Sequence, residues 1–147
     1  TVYDSTSVAA IGVAAHECGH AIQHARGYLP LKMRSALVPV VNISSQLSWI
    51  VIMAGIILGF TPVARLGVLL FCAVVLFQLI TLPVEFDASR RGLKILRDGG
   101  LLYDQEARAT AKVLRAAALT YVASVAASLL QLLRLIMIVN NSSRRRR

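Results

Sequence analysis

The chain is 147 residues long, about the size of one domain. Hydrophobic residues make up 56% of it and charged residues 16%, against ordinary values of ~45–50% and ~25%, and mean hydropathy is +0.66. That much apolar surface excludes a disordered chain, and too few polar residues remain to coat a small soluble domain, so a membrane protein is expected. The formal net charge is +9. The basic residues lie mostly between apolar runs, where cytoplasmic membrane loops keep them, so nucleic-acid binding is not expected. Cys18 and Cys72 are too few for a disulfide framework and read as reduced thiols used as small hydrophobes.

The first predicted element is a helix over Val8–Ala25. Asp4, Ser5, Thr6 and Ser7 offer N-cap oxygens, the stretch is Ala-rich and free of proline, and Gly27 suits the position just past a helix end. Leu29-Pro30 then reads as the start of a connection containing Lys32 and Arg34.

Three apolar runs follow. Leu37–Phe60 is 24 residues without a charge, Leu66–Pro83 is 18 without one, and Ala116–Val139 is 24 with Arg134 alone. A helical span needs about 20 residues, with a range of ~17–25. A chain this short has no soluble shell to bury three such helices, so all three are expected to cross a bilayer. The polar segment Val84–Arg115 reads as a helix continuing from the second span, a turn at Asp98-Gly99-Gly100, and a helix leading into the third. Asp104 and Glu106 suit the first turn of that last helix. The expected fold is all-α: a helix, a transmembrane hairpin, a cytoplasmic helical segment and a third transmembrane helix. With three spans, ten basic residues fall on the side of 1–36 and 84–115, and five on the other. The bias places the first side in the cytoplasm.

The chemistry is concentrated in His16-Glu17-Cys18-Gly19-His20, an H-E-x-x-H sequence inside the first predicted helix. Four residues make just over one helical turn, so both imidazoles project from one face and can grip one zinc ion. Glu17 reaches the flank of that ion, where a carboxylate can take a proton from an activated water and pass it to a leaving amine. With three histidines in 147 residues, a chance match is on the order of one in a thousand.

A catalytic zinc usually has three protein ligands. His24 lies a further ~6 Å along the helix, too far to complete a tetrahedron with His16 and His20. The longer H-E-x-x-H-x-x-G-x-x-H form is excluded by Gln23 and Arg26. The third ligand is therefore expected to be a carboxylate. Asp4 points away along the same helix, leaving Glu85, Asp87, Asp98, Asp104 and Glu106. Glu85 stands out: it sits two residues after Pro83, and two membrane crossings return the chain to the face that carries His20.

The run Gly12–His24, then Arg34-Ser35-Ala36-Leu37-Val38-Pro39, Leu82-Pro83-Val84-Glu85-Phe86-Asp87-Ala88-Ser89-Arg90-Arg91 and Ala117–Ala123 resembles the bacterial neutral zinc metallopeptidases of the YugP-like membrane family. The resemblance covers nearly the whole chain. It implies a single membrane-embedded zinc metallopeptidase domain over 1–147, located in the bacterial cell membrane, with peptides or membrane proteins as substrates and the lipid bilayer as surroundings. Family members are longer at the N-terminus, so a preceding membrane segment is expected to be missing from this sequence. The chain is more distantly similar to the HtpX and CAAX-processing peptidases, whose third ligand is the Glu of an E-x-x-x-D pattern. Glu85 matches that Glu, but Ser89 stands where the pattern has Asp. The carboxylate that would brace a ligand histidine is thus missing or supplied from elsewhere; Asp87 is a substitute, though two positions from Glu85 it faces roughly the opposite way on a helix. Arg90, Arg91 or Tyr121 could stabilise an oxyanion near the metal.

The leading expectation is a zinc-dependent membrane endopeptidase working at the cytoplasmic surface. A zinc-binding structural or inactive peptidase-like protein is the alternative, but a structural site has no use for Glu17. An intramembrane protease of the site-2 type would take an Asp ligand from a transmembrane helix, and none of the three apolar runs contains Asp.

Overall fold

The computed structural model describes residues 7–145, which form four helices: α1 (Val8–Ala25), α2 (Leu29–Ile57), α3 (Thr61–Asp98) and α4 (Asp104–Arg144). The all-α expectation holds. Ser7 caps α1, its side chain accepting from the N–H of Ala10 at 3.2 Å. The other three cap candidates and Arg146–Arg147 lie outside the described residues. Beyond α1 the chain turns at Gly27, whose φ of +63° suits a residue without a β-carbon, and Tyr28 N–H returns to the Gln23 carbonyl at 2.9 Å.

The connection expected at Leu29-Pro30 is instead the first turn of α2. Proline is well placed there, because first-turn N–H groups have no intrahelical partner and its fixed φ is already helical. The apolar run of α3 ends at Pro83, yet the helix continues through it for about four more turns. The predicted turn at Gly99-Gly100 closes α3, with Leu101 N–H bonding the Leu96 carbonyl at 3.1 Å. Helices α2, α3 and α4 are each long and apolar enough to cross a membrane.

The chain divides into two compact units. The first comprises the described residues up to Met33 together with Ile80–Val122. Its α1 presents a buried stripe of Gly12, Ala15, Gly19 and Gln23, and α4 a stripe of Ala107, Thr110, Leu114 and Ala118. Both repeat at three- and four-residue steps, which is one face of a helix. The α3 segment buries Val84, Glu85, Asp87 and Ala88. The second unit comprises Arg34–Leu79 and the described residues from Ala123 onward. Its core is Ile52, Ala64, Leu135 and Val139, with Ile56, Val68 and Phe71 packed against them. Large apolar side chains such as Ile43, Ile50, Leu69 and Leu130 are exposed in this unit, as lipid-facing residues must be.

Candidate metal centre

Two glycines let α1 lie backbone-to-backbone on α3. A β-carbon at Gly19 would overlap the Ala88 carbonyl, and one at Gly92 would overlap the Ala15 carbonyl. One turn further on, Gln23 Nε2 donates to the Val84 carbonyl at 2.8 Å. The contacts 15 to 92, 19 to 88 and 23 to 84 advance by one turn on each helix in opposite directions. They define an antiparallel seam built on small residues at four-residue spacing.

This seam brings the histidines to Glu85. His16 Nε2 lies 2.9 Å from Glu85 Oε2, His20 Nε2 lies 3.4 Å from the same oxygen, and the two Nε2 atoms are 3.1 Å apart. Ligand atoms around a tetrahedral ion with bonds of 2.0–2.1 Å are about 3.3 Å apart. The rings meet edge to face, with centroids at 4.6 Å. Glu85 is only 3% exposed, so its carboxylate needs a positive partner. Two imidazole nitrogens and a buried carboxylate oxygen form a donor set that fits zinc. Among the described residues, this is the His/Cys/Asp/Glu grouping with metal-binding geometry.

Each histidine is braced through its other ring nitrogen. His16 Nδ1 lies 2.8 Å from Ser89 Oγ, so the serine at the departing position of the E-x-x-x-D pattern makes the brace with a hydroxyl. His20 Nδ1 lies 2.9 Å from Gln23 Oε1, and Gln23 Nε2 donates to Asp87 Oδ2 at 2.9 Å. Asp87 faces away from Glu85, as its spacing suggests, and reaches the seam from the other side through Gln23. The line Val84–Ala88 runs beneath α1, and Glu85 and Asp87 flank it on opposite sides. Asp87 Oδ1 accepts from Arg90 Nη2, and its Oδ2 from Arg91 Nε, both at 2.6 Å. The Arg91 guanidinium also lies over the Tyr28 ring, 5.4 Å from its centre. Asp87 thus pairs with both arginines.

Glu17 is exposed on α1 beside the histidine pair, His24 is exposed outside the cluster, and Tyr121 is exposed on α4. The Arg90 side chain is 80% exposed while holding Asp87. Asp104 and Glu106 are exposed at the start of α4, where Glu106 Oε2 accepts from Tyr103 N–H at 3.1 Å as a helix cap. Asp4 lies outside the described residues. Sequence reasoning missed Gln23 as a part of the site. The available signal was a polar residue on the otherwise small and apolar stripe of α1, since a buried amide must find partners.

The comparisons with known proteins agree with this chemistry. Residues 1–140 match the family described as "Putative neutral zinc metallopeptidase". Over 140 residues the chain is 47% identical to "Putative membrane protease YugP" of Bacillus subtilis (strain 168), covering 95% of this chain and 62% of that protein. The chain thus spans about three fifths of the length of this curated relative. No solved structure gives a significant match. With all but its last seven residues matched, the chain belongs to the neutral zinc metallopeptidase family.

Proposed function

We propose that the chain carries the active centre of a zinc-dependent membrane endopeptidase that hydrolyses peptide bonds at the cytoplasmic membrane surface. The observation that supports it is the convergence of His16 Nε2, His20 Nε2 and Glu85 Oε2 at 2.9–3.4 Å on an H-E-x-x-H helix. His16, His20 and Glu85 would hold the ion, and Ser89 and Gln23 would keep the two rings aimed at it. When bound, zinc supplies Lewis acidity and lowers the pKa of water to about 7. Glu17, next to His16 but outside the ligand set, takes the proton of the attacking water and returns it to the departing amine. Tyr121, on α4 in the same compact unit, is the proposed donor to the developing oxyanion; Arg90 is already engaged by Asp87.

The cytoplasmic assignment rests on the ten-to-five distribution of basic residues. Substrates would be unfolded or membrane-tethered polypeptides presented at that surface. The test is proteolysis of such a substrate by the full-length protein, compared with Glu17→Gln at matched zinc content. Cleavage by the wild type and its loss in the variant is the expected result. A zinc-loaded wild type that cleaves nothing would instead favour a structural metal site.

A further inference from the structure

We propose that Gln23 is a positioning residue: held by Val84 and Asp87, it fixes His20 in the tautomer whose Nε2 lone pair is free for the metal. The proposal rests on the ligand assignment above and deepens it. The Val84 carbonyl can only accept a hydrogen bond, and so can the Asp87 carboxylate, which two arginines hold in its ionised form. Both lie at the same end of the Gln23 side chain, at 2.8 and 2.9 Å. That end must therefore be the NH2 group; the reversed amide would press its oxygen against two acceptors.

Gln23 is fully buried, at 0% exposure, so water is not at hand to relieve the reversed arrangement. With the NH2 committed, Oε1 faces His20 Nδ1 at 2.9 Å and has no proton to give. Nδ1 must supply the hydrogen. A neutral imidazole carries only one ring proton, which leaves Nε2 bare, facing His16 and Glu85. The far end of the chain is anchored as well, because Arg91 is held both by Asp87 and by the Tyr28 ring. His16 has no such selector: the Ser89 hydroxyl opposite its Nδ1 can donate or accept equally well. The two ligand histidines should therefore respond differently when Gln23 is changed.

The test uses the full chain, 15N-labelled at histidine, in detergent micelles and stripped of metal by a chelator. Spectra are taken over a pH series, so that each ring is read in its neutral form. Long-range 15N–1H correlations then report which nitrogen of each ring carries the proton. Wild-type His20 is expected to be protonated on Nδ1. In Gln23→Met, which keeps side-chain length and removes the acceptor, the His20 proton should move wholly or partly to Nε2 while His16 is unchanged. Zinc affinity of that variant, read by chelator competition, should fall 10–100-fold. Wild-type His20 protonated on Nε2 overturns the proposal, and this arm needs no variant to fold. A folded Gln23→Met with the His20 tautomer unchanged also overturns it. A wild type with Nδ1-protonated His20 and bound zinc that cleaves no peptide would sink the peptidase reading and leave this role standing.

Discussion

Gly19 lies against the backbone of Ala88 so closely that the space a β-carbon would need is already filled by the Ala88 carbonyl. The glycine inside the H-E-x-x-H sequence is thus what allows α1 to carry its histidines up to Glu85. Gly19→Ala should push the helices apart at a cost of about 1–3 kcal/mol, the usual penalty of overpacking. Zinc affinity should fall with it. Gly12→Ala is the control, because a β-carbon there meets Thr110 Cγ2 at an ordinary 3.5 Å. Thermal unfolding in detergent and zinc competition should separate the two variants; equal behaviour would refute the role of the close approach.

His16→Ala, His20→Ala and Glu85→Ala should each lose stoichiometric zinc, whereas His24→Ala should retain it. The motive is geometric: the first three converge within a few ångströms, while His24 is exposed outside the cluster. Metal analysis of purified protein checks this. Loss of zinc in His24→Ala with retention in Glu85→Ala would overturn the ligand set.

Ser89→Ala removes the brace 2.8 Å from His16 Nδ1 but leaves every proposed ligand in place. Such a change typically lowers metal affinity by 10–100-fold, so zinc should remain bound at saturating concentration and be lost earlier to a competing chelator. Unchanged competition would show that the hydroxyl does not orient the ring.

Glu17→Gln should keep about one zinc per chain and lose ~10²–10⁴ in proteolytic rate, because the carboxylate moves a proton and does not ligate. Size and hydrogen bonding are preserved, so a structural explanation for the loss would be excluded by unaltered zinc content. Near-normal turnover would remove Glu17 from the mechanism.

If α3 crosses the bilayer through its apolar run, single cysteines introduced at Thr61 and at Arg97 should label from opposite faces, with position 97 reached only from the cytoplasm. A membrane-impermeant thiol reagent applied to intact and opened cells, in a Cys18→Ser, Cys72→Ser background, reads this directly. Labelling of both positions from outside would refute the topology.

Local patterning was enough for the helices and for half of the site. The bounds of α1, the turn after Asp98 and the three apolar runs follow from capping residues, glycines and run length, all of which act within a few residues. The alignment of His16 with His20 is likewise a property of one helical turn. Leu29-Pro30 opens α2 where a connection is expected, because a proline can open a helix as readily as interrupt one, and only the residues that follow decide.

The rest required the fold. Glu85 meets His16 across 69 positions, Ser89 across 73, and Gln23 reaches Asp87 across 64. No short-range period relates such residues, and of the five candidate carboxylates it is Glu85 that the seam brings to the histidines. What selects it is the close approach of α1 and α3 at Gly19 and Gly92, which sets the register of two helices far apart in the chain. The amino-acid sequence by itself determined which side chains could bind and activate; the packing of backbone on backbone decided which of them meet, because hydrogen-bond and ligand geometry are satisfied only within a few ångströms.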